Sequence, residues 1–499
     1  MLKISNKSLW ALVVLGLAFA GCRKVRLDDH GGYPEEVAEI LITSCATVGC
    51  HDDNSYEKEG RLSLASWDAA FQGSRAGAAI VPYRVDQSYL SFFMNTYDDL
   101  GIVQEPTMPL NGPALSREEV TTIQSWIANG APSADGAIKF SDNPDRSKIY
   151  IANQGCDQLA VMDRDTRVVM RYIDMGVDPF LIESPHYLKL SPDKRYLYAV
   201  FLTANNYIEK YDTRTDEFVS RAEIGPGSWN TFAMSPDGRY AYTIDLEGNP
   251  IGNTDRHVSV IDLDAMEQVN FYSVGSGANP HGSYFSSHTN ALYVTEQEGN
   301  TLYKFSYTND LTTPESFDVI DLVQTNPDLG SRGRLGPHEV FFTGPDQYAV
   351  TCQYADQIRF YSASNDELLG TLSVGSFPSE MDTWDNGSML FVTCMEDTLL
   401  NQGNALKRGS VAIIDYNTRT LLKEVYTGYQ PHGIYVDETA NLVWVGNRNA
   451  NADGPAPHHT TDCGGRNGYL TAIDLGTLDL LADFRHELSV DPYSVVVKD

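Results

Sequence analysis

From about residue 148 to its end the chain repeats itself at a period of roughly 40–60 residues, and repetition on that scale restricts a fold to solenoids, propellers and related arrays. Each unit holds four short strands. The first begins near a proline and runs into a Ser-Pro-Asp-Gly-like turn; an aromatic strand, a strand ending in Asp and a fourth strand follow. One unit reads Pro185-His186-Tyr187-Leu188-Lys189-Leu190-Ser191-Pro192-Asp193, then Arg195 to Val200, then Tyr207 to Asp212. The next repeats it with Phe232 to Gly238, Tyr240 to Thr243 and Val258 to Asp262. Four strands per unit match a propeller blade. First strands begin near His186, Trp229, His281, His338, Ser379, His432 and Tyr493, which predicts seven blades over residues 148–499. The outer strands from Lys148 to about Gly176 precede any first strand, and Asp491 to Lys498 is a first strand with nothing after it. The C-terminal strand is therefore expected to complete blade one and to remove two sheet edges. Residues 137–140 (AIKF) are the rival for that place.

In a propeller the starts of the inner strands line one mouth of the central channel, so residues in one repeat slot form a ring. The slot after the proline holds His186, His281, His338 and His432, and Glu339 and Glu380 occupy the next slot in their blades. Four imidazoles around one axis can coordinate copper or another late transition metal, or ligate and protonate something bound at the mouth. They can equally be duplicated structural residues bonded to carbonyls or water. The insertions at residues 248–256 and 452–466 fall in loops expected on the same face.

A different chemistry precedes the repeats. Ser44-Cys45-Ala46-Thr47-Val48-Gly49-Cys50-His51, followed by Met108-Pro109, supplies what a covalently attached c-type haem requires. Two thiols can form thioethers, the imidazole of His51 can ligate iron from one face, and Met108 from the other. The spacer between the cysteines has four residues where the usual motif has two. Two cysteines can also form a disulfide, and Met94 is a second candidate ligand that reads better as core. Residues 33–44 have apolar positions at helical spacing and end on Cys45. Ser116 to Glu119 is a capping box opening a helix through Val120, Ile123, Trp126 and Ile127.

Residues 33–132 resemble a class I cytochrome c domain of the type found in planctomycete and Bacteroidetes exported proteins. The match runs through Gly60 to Leu64, Ala79 to Pro82, Ser88 to Leu90, Met108-Pro109 and Trp126 to Ala131. The Tyr-Val-Thr runs, such as Leu292 to Thr295 and Phe391 to Thr393, resemble the YVTN family of propellers. The resemblances imply a small all-α cytochrome c domain followed by an all-β seven-bladed propeller, joined by a linker at residues 133–147. A cytochrome domain ahead of a propeller also resembles the cytochrome-cd nitrite reductases, although those have eight blades. Histidine-lined propellers resemble the copper domain of nitrous oxide reductase, whose cupredoxin domain has no counterpart here.

Lys3 and Lys7 precede a short apolar run from Leu9 to Ala20, which reads as a secretory signal. Phe19-Ala20-Gly21-Cys22 resembles a lipobox, with Cys22 as the lipidation site; Ala18-Phe19-Ala20 also reads as an ordinary cleavage site. The expected address is exported, lipid-anchored in the periplasm or at the outer membrane. A formal net charge of −31 speaks against nucleic acid as a partner, because phosphates would be repelled. Cys156 and Cys463 lie between the second and third strands of blades one and seven, neighbours once the ring closes, and are expected to form a disulfide. Cys352 and Cys394 share a slot in adjacent blades, about 10 Å apart and beyond disulfide reach, and are expected to stay reduced. His458 and His459, and the alternating Asn447, Asn449, Asn451 and Asp453, read as loop residues; no HExxH or Gly-rich phosphate loop occurs.

The function expected from these readings is electron transfer to a redox partner protein by one haem c, with the propeller docking a partner or ligand. Two rivals stand beside it. One is an oxidoreductase with a metal or second cofactor at the histidine ring, and the other is a surface binding module with the haem as sensor.

Overall fold

The computed structural model describes residues 29–203, 207–225, 227–246, 255–276, 279–398, 408–450, 463 and 466–499. Seven antiparallel sheets follow one another from Lys148 onward and form a seven-bladed propeller. Six have the inner strands Pro185–Leu190, Trp229–Met234, Pro280–Ser286, Pro337–Phe342, Pro378–Trp384 and Pro431–Asp437. The remaining sheet joins the two ends of the repeat region. Pro492–Lys498 pairs with Lys148–Asn153, Lys498 opposite Lys148, and Gln158–Asp163 and Val168–Asp174 lie outside them. Residues 137–140 form no strand; Phe140 takes a positive φ of 66° and meets Phe71 edge-on at 6.2 Å. The segment read as a linker is thus pinned at its centre, with Phe140 buried.

The turn chemistry explains why the repeat reads so clearly. Ser191 and Ser235 each accept the backbone N–H at the start of the second strand (3.0 and 2.9 Å), closing the turn, while Lys194 and Gly238 adopt the left-handed conformation it needs. In five of the seven blades the third strand ends in an Asp that acts as an Asx cap: Asp163, Asp212, Asp262, Asp415 and Asp474 accept backbone N–H groups two or three residues on, at 2.7–3.0 Å.

Between blades one and two, Lys148 reaches Asp216 at 2.9 Å, both fully buried, and the Tyr150 hydroxyl donates to the same carboxylate at 2.7 Å. Removing one partner of such a pair strands the other charge in low dielectric. Asp216→Ala should therefore lose roughly 3–5 kcal/mol of stability, whereas the apolar pair Lys148→Met/Asp216→Leu should recover most of it. Chemical denaturation of the three proteins checks this; equal losses in the single and double variants would refute it.

Residues 29–132 form a helical domain with helices α1 Glu35–Ser44, α2 Trp67–Ala70, α3 Tyr89–Met94 and α4 Arg117–Ala128. Pro34 holds extended backbone just before α1. The capping box opens α4: Glu119 N–H donates to Ser116 Oγ at 3.3 Å and Ser116 N–H to Glu119 Oε2 at 2.7 Å. The apolar faces of α1 and α4 meet through Val37, Leu41, Val120, Ile123 and Ile127, with Tyr33 edge-on to Trp126 at 5.9 Å. No helix among the described residues is long and apolar enough to cross a membrane.

The helical domain sits on the seam between blades one and seven. Arg84 pairs with Asp174 (3.0 Å), Arg61 with Asp483 (3.2 Å), and the Glu487 N–H donates to the Ala76 carbonyl (2.7 Å). Ala78 and Val81 join Val168, Leu470 and Leu488 in one apolar cluster, and the Tyr89 hydroxyl donates to the buried Glu487 carboxylate. Cys156 and Cys463 are joined by a disulfide across the same seam, Cα atoms 5.4 Å apart, while Cys352 and Cys394 are buried thiols.

Candidate functional site

The cysteine and histidine segment is placed by the end of α1. Cys45 is the last residue in helical geometry, its N–H donating to Leu41 O (3.0 Å), and its side chain is buried in the domain core. The loop to Cys50 turns out to solvent and back, and the His51 N–H donates to Cys45 O at 3.1 Å, returning the imidazole to the helix end. Cys45 and Cys50 are both free thiols. Burial, with smaller contributions from Cys50 and Glu119, pushes the Cys45 thiol up to about 12, so it is uncharged at neutral pH. The His51 Nδ1 lies 2.9 Å from the Leu62 carbonyl. That bond fixes the tautomer and leaves Nε2 as the nitrogen able to meet a metal, the arrangement usual for ligating histidines.

Met108 follows α3, its N–H donating to Phe93 O (2.7 Å); its side chain is half-buried, whereas Met94 lies in the core at 2 % exposure. Val103 and Leu110, on either side of Met108, are exposed apolar residues, as is Val48 between the two cysteines. Two unpaired thiols, an imidazole with Nε2 unengaged and an accessible thioether amid apolar side chains form a donor set that fits a covalently held haem. Cys22, His458, His459, Asn451, Asp453 and most of the two long insertions lie outside the described residues.

A second constellation closes one end of the channel. The second position of the inner strands, which follows a proline in every blade but the third, where it follows Trp229, holds, in order around the ring, Tyr493, His186, Asn230, His281, His338, Ser379 and His432, all buried. Neighbouring rings touch: Tyr493 to His186 at 4.0 Å, His281 to His338 at 4.1 Å and His432 to Tyr493 at 3.7 Å between centroids. His186 to His281 and His338 to His432 span the two non-aromatic slots at 6.0 and 5.6 Å. The four histidines named from the sequence therefore converge on the axis.

Local structure explains how a histidine and the residue after it both belong to the site. The ladder shifts register at the mouth end of the inner strands, for example between Pro337 and Val340 and between Pro378 and Met381. Such a bulge breaks strict alternation and re-aims side chains. The threonine of the Tyr-Val-Thr runs holds the bulge. Thr295 Oγ1 accepts the Gly282 N–H (2.8 Å) and donates to His338 O of the next blade (2.9 Å). Thr393 likewise accepts the Glu380 N–H (3.1 Å) and donates to His432 O (3.1 Å). Gly282 and Gly433 allow the blades this close, since a Cβ on them would lie 2.2 Å from His338 O and 2.5 Å from Tyr493 O.

The polar atoms of this ring are poorly satisfied. His186 Nε2, His281 Nδ1, His338 Nδ1, Asn230 Nδ2, Glu339 Oε2 and Glu380 Oε1 are buried without a hydrogen-bond partner. Burial drives His281 down to about 4 and His186, His338 and His432 well below the usual imidazole range, leaving neutral rings with lone pairs. Burial also lifts Glu380 to about 7, against the pull of Lys189, and Asp382 to about 6, while Glu339 is raised well above its usual range by burial and then by Glu380. Lys189 and Asp382 sit three residues beyond the histidine slot, and with Glu380, His432, Tyr187 and Tyr493 they line a cavity of about 350 Å³.

Lys189 and Asp382 were not singled out from the sequence, although the repeat register contains the signal: they fall in one inner-strand slot of their blades, while Tyr493, read only as a strand start, occupies the histidine slot of blade one. Gln154, whose Oε1 lies 2.6 Å from His186 Nδ1, and Arg448, paired with Asp491 (2.6 Å) and 4.8 Å from the Tyr493 ring centre, come from outside those slots.

No protein-family model matches the chain, and no curated protein is significantly similar to it. Solved structures are similar in fold. A functionally unknown protein from Desulfotomaculum acetoxidans aligns at TM-score 0.52 and 12% identity, over 70% of this chain and 98% of the other. A protein described as a 6-phosphogluconolactonase from Bacteroides uniformis aligns at TM-score 0.52 and 13% identity, over 71% of this chain and its own full length. A dihydro-haem d1 dehydrogenase aligns over 85% of this chain and 94% of its own, at 12% identity and a TM-score of 0.47, too low to weigh. At these identities the likeness to the first two establishes one thing, the propeller fold.

Proposed function

We propose that the chain is an exported electron-transfer protein with one haem c attached through Cys45 and Cys50, its iron held by His51 and Met108, and a lipid anchor at Cys22. The observation that carries this reading is the end of α1, where two free thiols and an imidazole with its Nδ1 engaged by Leu62 O are brought together. The haem, when bound, supplies reversible one-electron transfer. The chain's own part is positional. The Cys45 backbone carbonyl and Leu62 orient the His51 ring, α3 and the Phe93 carbonyl anchor the segment bearing Met108, and Val48, Val103 and Leu110 supply apolar surface against which a porphyrin is shielded from water. The propeller serves as the docking or ligand-binding body, and its partner is a second redox protein. A second reading, an oxidoreductase whose reaction centre lies in the channel, is favoured by the unsatisfied polar atoms of the histidine ring.

The test is expression of the full chain in a host able to mature c-type cytochromes, followed by pyridine haemochrome analysis. One covalent haem per chain with a spectrum that cycles on reduction and reoxidation is expected; a chain exported intact without covalent haem would refute the proposal.

A further inference from the structure

Blades five, six and seven each contribute one side chain to one spot on the axis: His338 and His432 from the slot after the proline, and Glu380 from the position after it. One ligand atom from each lies within 4.8 Å of the other two, and Glu380 Oε1 is 4.0 Å from His432 Nε2. We infer that the propeller holds a first-row divalent transition metal ion ligated by His338, Glu380 and His432, with an open position toward the channel cavity. This site is separate from the haem and does not depend on it.

The donor set suits such an ion, because imidazole and carboxylate together favour zinc, iron or copper over the oxygen-only shells of calcium and magnesium. Bonds of about 2.0–2.2 Å place tetrahedral ligand atoms roughly 3.5 Å apart, so the three side chains need to close by only about an ångström. An outer shell is also present. His432 Nδ1 lies 3.2 Å from the Tyr493 carbonyl, which fixes that ring with Nε2 toward Glu380, and the Glu380 backbone is tied to Thr393. Glu380 Oε1 and His338 Nδ1 are buried without partners, as is Nδ1 of His281, whose ring stands 4.1 Å from that of His338. A metal ion at this spot gives the orphaned Glu380 Oε1 and His338 Nδ1 the partner that burial denies them. Glu380 and His432 also line the 350 Å³ cavity, so a small ligand entering the channel meets the metal directly.

The experiment is zinc loading of the haem-containing full chain after chelator treatment, with zinc counted after desalting and the thermal midpoint measured with and without it. Wild type should retain one zinc per chain and melt at a higher temperature with it, because ligand bound to the native state alone stabilises it. Glu380→Gln and His432→Asn, both close in shape to the original residue, should bind zinc more weakly by well over ~100-fold, beyond the ~10–100-fold expected from losing an outer-shell partner. They should keep the circular dichroism of the parent and the full haem complement. A Cys45→Ser/Cys50→Ser chain should still bind the zinc, which separates this site from the haem. Zinc retained equally by both variants, or no zinc and no thermal shift in wild type, would overturn the inference and assign the orphan atoms to buried water.

Discussion

Replacing Cys45 and Cys50 together by serine is expected to abolish haem staining of the denatured protein while leaving a folded propeller. Each thiol supplies one thioether, so either single variant retains one bond and stains more weakly, and the double variant has none. Serine is nearly isosteric, and although Cys45 shares its cluster with side chains of blades one and two, the cores of the blades farther round the ring do not contain it, so loss of stain separates from loss of fold. The axial ligands respond differently. Met108→Ala should keep the covalent haem but lose the sulfur-to-iron charge-transfer band, because Met108 is accessible and Met94 is locked in the domain core at 2 % exposure. Met94→Leu should preserve the band, since the two side chains are close in volume and the change costs less than about 1.5 kcal/mol. Retention of the band in Met108→Ala and its loss in Met94→Leu would transfer the ligand role to Met94. Undiminished stain in the double cysteine variant would refute covalent attachment.

The sequence made the propeller legible because its local signals are periodic and chemical at once. Ser191-Pro192-Asp193 and Ser235-Pro236-Asp237-Gly238 name a turn, the Asp at the end of third strands names an Asx cap, and the prolines mark the inner-strand starts. Closure by residues 492–498 followed from counting first strands against outer strands, and AIKF failed as a rival because Phe140 is committed to Phe71. The histidine ring was visible for the same reason, as one slot in a register. Lys189 and Asp382 were less visible. Simple alternation counted from the histidine puts them on the other side of the strand, and only the register shift after the proline gives them to the channel. Gln154 and Arg448 reach the ring from outside the repeat slot, and docking of the helical domain through Arg84, Ala78 and Glu487 depends on contacts far apart in sequence. No local pattern encodes those.

Deleting residues 492–499 is expected to remove the protein from the soluble fraction, a larger effect than breaking the Cys156–Cys463 disulfide. The deleted strand buries Tyr493, Val495 and Val497 and supplies the inner edge of blade one, so its loss exposes an unpaired strand at Lys148–Asn153. At about 1.5–3 kcal/mol per buried side chain these three residues alone account for roughly 5–9 kcal/mol, comparable to the whole stability of an ordinary domain. An open, apolar edge in addition favours aggregation. The disulfide acts on the other side of the equilibrium. It spans 307 residues, and the loop-entropy estimate for that length is roughly 5–6 kcal/mol, at the top of the range such bonds deliver. Cys156→Ser/Cys463→Ser should therefore still fold, since the 492–498 strand and the Arg84, Arg61 and Glu487 contacts hold the seam, but melt about 10 °C lower. Wild type treated with reductant should show the same shift, and the serine variant none. A soluble, cooperatively melting truncation would mean that the disulfide and the helical domain close the ring without the C-terminal strand, and that the strand is a peripheral addition to a propeller already complete.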